Sequence, residues 1–108
     1  MGFQSNQLMR LFRRIRAVEG DMTLRRLQVL LCVYLAGDHG IELQSLSKQL
    51  DIAGGNLTKL VQSWSTRTSK REKGPDYMRA EPLPDNLSTK VVTMTEKGYR
   101  AVEVLLKG

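Results

Sequence analysis

Apolar residues recur every three or four positions in several stretches of this chain, a spacing that places them on one face of an α-helix. The stretch 6–18 predicts a first helix with arginines on its other face. Thr23 predicts the start of a second helix, ending at Ala36, because its hydroxyl can accept a hydrogen bond from a first-turn N–H. That helix is apolar nearly all round in its second half, which predicts a buried central helix. The apolar face of the first helix comprises Leu8, Leu11, Phe12, Ile15 and Val18.

Two shorter amphipathic segments follow, at 44–50 and 55–66, separated by a break that contains two glycines. Two short helices joined by a tight turn form the sequence pattern of a helix-turn-helix, whose second helix usually lies in the DNA major groove. We interpret the second segment, from about Gly54 to Thr66, as the reading helix. Asp51 and Asn56 are both candidates for its cap. The apolar anchors of the reading helix are Leu57, Leu60, Val61 and Trp64.

The remainder of the chain predicts a loop, a hairpin and a last helix. Residues 65–76 are polar and basic and end in Gly-Pro, which predicts a mobile loop. Two short strands at 77–81 and 90–93, joined by a proline-containing turn, predict a two-stranded wing spanning 77–94. Thr95 begins the last helix. The apolar face of that helix comprises Tyr99, Val102, Leu105 and Leu106.

The order of these elements predicts an α+β, mostly α fold. Ile41-Glu42-Leu43 alternates between apolar and polar residues and is a candidate very short strand before the helix pair. Helix, helix, short strand, helix-turn-helix, hairpin and helix is the order of a winged helix-turn-helix with a two-stranded wing. A chain of 108 residues without internal repeats predicts one domain, covering 1–108. The N-terminal helix, within residues 1–20, can either cap the core or pair with a partner subunit.

Composition narrows the class of protein. Apolar residues make up 41% of the chain and charged residues 26%, as in soluble globular proteins. No apolar run approaches the roughly 20 residues that cross a bilayer, so we expect a cytoplasmic protein with no membrane partner. Cys32 is the only cysteine, which excludes an internal disulfide. Its apolar surroundings predict a buried spectator thiol rather than a redox sensor.

The residues needed for catalysis or metal binding are missing from the sequence. His39 is the only histidine, so neither a Ser-His-Asp set nor a zinc site can be assembled. No glycine-rich phosphate loop follows a predicted strand. We expect no enzyme activity and no cofactor.

The charge balance favours an acidic partner such as nucleic acid. The chain carries 17 Lys and Arg against 11 Asp and Glu, a formal charge of +6. The excess is concentrated in the arginines of the first helix and in the basic loop, whereas the helix-turn-helix is nearly neutral. A protein that neutralises phosphates around a nearly neutral reading helix has this distribution.

The polar face of the reading helix supplies the candidate base contacts. Asparagine can form a bidentate pair with adenine, and lysine can donate to guanine, although a merely solvated polar face is the alternative. Glycines at the helix start permit close approach, and the free N–H groups there suit a phosphate. The candidates in the reading helix are Gly55, Asn56, Thr58, Lys59, Gln62 and Ser63. The candidate backbone contacts elsewhere are Gln44, Ser45, Arg67, Lys70, Arg71, Lys73, Arg79 and Lys90.

Several segments resemble the MarR-type family of bacterial transcriptional regulators. Met94-Thr95-Glu96-Lys97-Gly98 is similar to the family's Leu-Thr-Glu-Lys-Gly, where the wing returns into the next helix. Segments 46–52 (LSKQLDI) and 56–61 (NLTKLV) look like its helix-turn-helix, and the match covers about Leu8 to Leu106. The resemblance implies a winged-helix homodimer that binds a pseudo-palindromic DNA site.

Three features depart from the family's pattern. The Asp-x-Arg common in its wing corresponds here to Asn86 and Ser88, so Lys90 or Arg79 would have to supply the minor-groove cation. The loop 65–76 is longer and more basic than in the family. The chain is also short, because family members often carry a further C-terminal helix that completes the dimer interface.

We therefore predict a sequence-specific transcriptional regulator that binds double-stranded DNA as a homodimeric repressor. One alternative is a winged helix that binds another protein. A second alternative is a nucleic-acid-binding protein without sequence preference. Small-molecule effectors are common in the resembled family, but nothing in this sequence identifies an effector pocket.

Overall fold

Helices and strands follow one another in the order that the hydrophobic pattern predicted. The computed structural model describes residues 5–20, 22–66 and 73–107. Within those ranges the elements are α1 (Ser5–Val18), α2 (Leu24–Ala36), β1 (Ile41–Glu42), α3 (Leu43–Leu50), α4 (Gly54–Trp64), β2 (Met78–Pro82), β3 (Lys90–Met94) and α5 (Glu96–Lys107). The predicted α+β, mostly α winged helix-turn-helix is confirmed. None of the described helices is long and apolar enough to span a membrane.

Antiparallel pairing joins the strands in the order β1-β3-β2. β2 and β3 form the predicted hairpin, in register across five residue pairs that begin with Met78 opposite Met94. The candidate strand that begins at Ile41 is confirmed as β1, which ends at Glu42 and joins the hairpin as a third strand, since Ile41 lies opposite Val92. Because α3 begins directly after β1, the first helix of the helix-turn-helix is fixed to the sheet without an intervening loop.

One face of α2 forms the centre of the hydrophobic core. Its residues Val29, Leu30 and Val33 are fully buried, and it packs against α3, α4, α5 and β3. The predicted central position of α2 is confirmed, but its second half is not covered on every side, because Leu35 stays 79% exposed. The elements packed on α2 cover one side of it only. The core residues from the other elements include Leu46, Leu57, Val61, Trp64, Met78, Val92 and Val102.

The turn between α3 and α4 is built by the end of α3. Asp51 adopts a left-handed conformation (φ 54°) after the last residue of α3, and the Ile52 N–H donates to the Ser47 carbonyl at 3.1 Å. Ala53 precedes α4 and makes no side-chain cap. The predicted capping of α4 by Asp51 or Asn56 is wrong, because Asp51 ends α3 and Asn56 is already helical.

The start of α5 is locked onto the residues that precede β2. The Thr95 hydroxyl accepts a hydrogen bond from the Gly98 N–H at 3.0 Å and donates to the Asp76 carbonyl at 2.7 Å. The Thr95 N–H donates to the Tyr77 carbonyl at 3.0 Å. A Cβ on Gly98 would lie 2.0 Å from that same carbonyl oxygen. This packing accounts for the threonine and the glycine of the Met94–Gly98 segment.

Cys32 lies half-buried on α2, beside the core. Burial raises the pKa of the Cys32 thiol above its ordinary value. A raised pKa keeps the thiol protonated at neutral pH, and the protonated form is the unreactive one. These properties agree with the predicted spectator role.

Replacing Gly98 with alanine is expected to destabilise the protein by about 1–3 kcal/mol, because the added methyl group would collide with the Tyr77 carbonyl group. Gly55 offers a matched control, since nothing lies within 4 Å of a Cβ built on it. Gly55→Ala should be unchanged or up to about 1 kcal/mol more stable, because alanine suits a helix better than glycine. Chemical denaturation measures both variants, and equal stabilities would contradict the packing of Gly98 on Tyr77.

Candidate nucleic-acid interface

α4 presents one polar stripe to solvent and buries the opposite side. Gly55, Lys59 and Gln62 are exposed. They lie three or four residues apart, so they share one face of the helix. The buried anchors on the other face are Leu57, Val61 and Trp64, with Leu60 half-buried.

A cleft of about 460 Å³ separates one edge of this stripe from the start of α2. Asn56 and Lys59 line the cleft from α4, and Arg25 lines it from α2. Arg25 Nη1 donates to the Leu50 carbonyl at 3.3 Å, which holds this guanidinium beside the turn between α3 and α4. Arg25 and Lys59 outnumber the carboxylate of Asp51 along the cleft, so this edge of the stripe is positively charged.

The other edge of the stripe faces the wing. A cleft of about 320 Å³ lies between α4 and the hairpin, and both Thr58 and Gln62 line it. Arg79 of β2 and Lys90 of β3 line the same cleft, together with the carboxylate of Glu81. The two wing cations therefore stand beside the reading helix, where the sequence predicted backbone contacts.

Two predicted contacts of the reading helix lie off the exposed stripe. Ser63 is half-buried against α2, where its hydroxyl accepts a hydrogen bond from Arg26 Nε at 3.0 Å and donates to the Leu60 carbonyl at 2.6 Å. The placement of Ser63 on the outer face is wrong, because the helix turns this position toward α2. Thr58 is half-buried at the wing edge, and its hydroxyl donates to the Gly54 carbonyl at 2.9 Å.

The first turn of α4 is open to solvent. No side chain caps it, so its first N–H groups remain available to an outside acceptor. Nothing lies within 4 Å of a Cβ built on Gly54 or Gly55. An accessible helix start of this kind favours an anion such as a phosphate.

The structure describes some of the remaining residues that were predicted to contact the DNA backbone. Gln44 and Ser45 are exposed in the first turn of α3, and Lys73 is exposed before β2. The other candidates from the basic loop lie outside the described residues. They are Arg67, Lys70 and Arg71.

The two ends of the predicted mobile loop 65–76 are hydrogen-bonded to each other. The Gly74 N–H donates to the Thr66 carbonyl at 2.7 Å, and the Asp76 N–H donates to the Ser65 carbonyl at 3.2 Å. Arg79 Nη2 lies 3.5 Å from Asp76 Oδ2. The loop is thus fixed at both ends, while residues 67–72 lie outside the described part of the chain.

Asn86 closes the tip of the wing. Its Oδ1 accepts hydrogen bonds from the Ser88 N–H at 3.2 Å and from the Ser88 hydroxyl at 2.6 Å. Ser88, at the position where the resembled family often has arginine, therefore serves the turn. The cations of the wing, residues 77–94, are Arg79 and Lys90, and both lie in its strands.

Sequence reasoning missed the two arginines at the start of α2. Arg25 lines the cleft beside α4. Arg26 turns inward, with its side chain only 13% exposed and its Cζ 4.1 Å from the centre of the Trp64 ring. A lone sequence carries no signal that separates them, because only the packing of α2 against α4 decides which arginine is covered.

Metal ligands are not clustered in the described ranges. No group of three or more His, Cys, Asp or Glu side chains there is placed to hold a metal ion. The single histidine, His39, is exposed in the turn between α2 and β1.

Solved structures with the same fold include DNA-bound proteins. A DNA complex of MepR from S. aureus has a TM-score of 0.72 at 15% identity, over 95% of this chain and 76% of that one. Overoxidized AbfR bound to DNA has a TM-score of 0.64 at 17% identity, over 95% and 71%. MarR has a TM-score of 0.62 at 17% identity, over 94% and 72%. No family model and no curated protein matches the sequence.

Similarity at this level of identity establishes the fold. The predicted resemblance to the MarR-type family is confirmed as a likeness of fold, since MarR is itself among these structures. The chain has the winged helix-turn-helix fold of MepR, AbfR and MarR.

Proposed function

We propose that this protein is a transcriptional regulator that binds double-stranded DNA sequence-specifically. The observation that carries the proposal is the exposed stripe of α4, which has positively charged clefts on both edges. A B-DNA major groove about 12 Å wide admits one α-helix, and phosphates line both of its rims. The exposed stripe with cations on both flanks matches that arrangement in charge.

The side chains of the stripe suit base recognition. Asn56 and Gln62 can each form a bidentate pair with adenine, and Lys59 can donate to guanine O6 and N7. Thr58 can contact a phosphate or a thymine methyl group from the wing edge. Ser63 is removed from this set, because its hydroxyl is held by Arg26.

The cations around the stripe suit contacts that carry no sequence information. Arg79 and Lys90 on the wing side and Arg25 on the α2 side are placed to meet phosphates. The open first turn of α4 adds backbone N–H donors between them. MepR and AbfR, which share this fold, have been solved bound to DNA, and this supports DNA as the partner of the present chain.

A homodimer is the second part of the proposal. α1 packs on α5, and Arg14 Nε donates to the Leu105 carbonyl at 3.0 Å. Apolar side chains remain uncovered on both helices, and a surface of this kind marks a contact with another subunit. They are Leu8, Met9, Phe12, Val104 and Leu106. Two reading helices related by a two-fold axis would bind a pseudo-palindromic site.

Repression by occlusion of a promoter is the proposed mode of action, in the cytoplasm and without catalysis. The proposal includes no effector molecule. Its support is that the polar features of the site, namely amides, amines and guanidinium groups, are those that recognise nucleic acid.

Selection of bound duplexes from a random pool should yield a preferred, two-fold symmetric site. Asn56→Ala and Lys59→Ala should each lower discrimination at one base position by about 1–3 kcal/mol, because each removes a base contact. Lys107→Ala, at the exposed end of α5, removes one charge away from α4 and should leave discrimination unchanged. Arg79→Ala and Lys90→Ala should weaken binding to every duplex sequence equally. Each should also lower, by about one, the slope of the logarithm of the binding constant against the logarithm of the salt concentration.

Two results would overturn this function. Undetectable binding to any duplex at low salt would favour a winged helix that binds protein. If Asn56→Ala and Lys59→Ala lose the same affinity for every duplex sequence, the result would favour nucleic-acid binding without sequence preference.

Phe12→Glu tests the dimer. The Phe12 side chain is 56% exposed in the isolated subunit, so the substitution should leave the subunit folded but place a charge within the contact. Light scattering of wild type should give the mass of a dimer, and the variant should dissociate to monomers. Leu87→Glu, at an apolar position on the wing tip that is 73% exposed, should remain dimeric. A monomeric wild type would contradict the proposal.

A further inference from the structure

A buried guanidinium holds the end of the reading helix. Arg26 Nε donates to the Ser63 hydroxyl at 3.0 Å, and Arg26 Nη2 donates to the Ser63 carbonyl at 3.3 Å. The Trp64 indole N–H donates in return to the Arg26 carbonyl at 2.9 Å. The Arg26 Cζ lies over the Trp64 ring at 4.1 Å, within the range of a cation–π contact. Four contacts thus join one residue of α2 to the last turn of α4.

The same guanidinium reaches the end of α1. Arg26 Nη2 lies 3.2 Å from Glu19 Oε2, and the two side chains are 13% and 26% exposed. The Glu19 N–H donates to the Ile15 carbonyl, so Glu19 continues the last turn of α1. α1 carries part of the proposed dimer contact. Arg26 therefore stands between the helix that would pair the subunits and the helix that would read DNA.

The far side of Trp64 is fixed as well. Its ring stacks on Tyr77 with centroids 5.7 Å apart and planes at 22°, and Lys97 Nζ lies 6.0 Å from the centre of the Tyr77 ring. A line of four side chains thus runs from α2 through the end of α4 and the start of the hairpin to α5. In this line, Arg26 is the member whose side chain also hydrogen-bonds to the backbone of α4, whereas Tyr77 does so through its own backbone N–H, which donates to the Trp64 carbonyl at 2.7 Å.

The two ends of α4 are held by different means. The first end follows the turn of the helix-turn-helix, where Ile52 and Leu57 are buried among apolar neighbours. Apolar contacts are not directional, so they fix how deeply the helix is buried better than they fix the angle at which it lies. At the last end, Val61 and Trp64 are buried as well, but directed hydrogen bonds from the planar guanidinium are added, and these fix an angle.

We propose that Arg26 is a positioning residue for DNA reading, which sets the tilt of α4 on α2 and couples that tilt to the end of α1 through Glu19. The proposal rests on the proposed function, since it assigns to Arg26 the alignment of the stripe on α4 with the major groove. The Arg26 side chain is 13% exposed at the rim of the cleft, and its guanidinium is engaged by Ser63, Glu19 and Trp64, so we assign its effect to α4 and not to a contact with DNA.

The test compares wild type with Arg26→Met, Arg26→Lys, Glu19→Gln and Val102→Ala. Methionine keeps the bulk of the side chain without its directed bonds, whereas lysine keeps the charge without the planar fork. Val102 is a fully buried residue of α5 away from α4, so its truncation supplies a loss of stability without a change at Arg26. Denaturation ranks the stabilities, and binding is measured at a temperature where every variant is folded.

Arg26→Met should lower affinity for the selected duplex about tenfold or more, the loss expected when one bidentate base contact is misaligned. Affinity for a random duplex should change much less. Arg26→Lys should recover part of the loss, and Glu19→Gln should show a smaller loss of the same kind. Val102→Ala should keep the affinity of wild type. The proposal is overturned if Arg26→Met and Val102→Ala lose affinity only in proportion to their loss of stability.

Trp64 provides a readout that needs no DNA, because it is the only tryptophan in the chain. Acrylamide should quench Trp64 fluorescence more strongly in Arg26→Met than in wild type or Val102→Ala. If wild type binds no duplex but quenching changes as stated, the proposed function fails while the role of Arg26 in holding α4 stands. Unchanged quenching in Arg26→Met, or in Arg26→Lys should the methionine variant not fold, would overturn that role by itself.

Discussion

Burial of Trp64 under the Arg26 guanidinium, together with burial of Leu57 and Val61, turns the opposite side of α4 to solvent. The ring is fully buried, and its indole N–H is satisfied by the Arg26 carbonyl. Once this large side chain is fixed, the 3.6-residue period of the helix places Lys59 and Gln62 outward. The wing edge takes its cations from the hairpin, whereas the α2 edge combines Arg25 of α2 with Lys59 of α4 itself. The chemistry of the surface is thus a consequence of how the core is packed.

Periodicity and local capping were sufficient to predict most of the fold. The Thr23 side chain accepts a hydrogen bond from an N–H of the first turn of α2, as expected. The ends of α2, α3 and both wing strands lie within a few residues of the predicted positions. These features depend on neighbours in the sequence. The misplaced features depend on contacts across the chain. Ser63 is turned inward by Arg26, and the exposure of Leu35 depends on which side of α2 the other elements cover.

In the segments that resemble the MarR-type family, several residues are explained by contacts that hold the fold together. Thr95 and Gly98 join α5 to the strand start, and Lys97 lies over Tyr77. The Asp51 turn sets the angle between α3 and α4. The candidate base contacts Asn56 and Lys59 lie within the similar segment 56–61, but both are exposed, so packing does not fix their identity. A likeness built on such residues can therefore identify the fold from one sequence while leaving the preferred DNA site undetermined.

The paired ends of the basic loop have a consequence for how this protein can change. Hydrogen bonds from Gly74 to Thr66 and from Asp76 to Ser65 clamp the base of the loop, independently of the residues it spans. Closing a longer loop on a preformed clamp costs little entropy, since each doubling of length adds only about 0.6 kcal/mol. Insertions and new charges between Thr66 and Lys73 would then leave α4 and the hairpin undisturbed. Among related chains, this segment is where length and charge can diverge most freely.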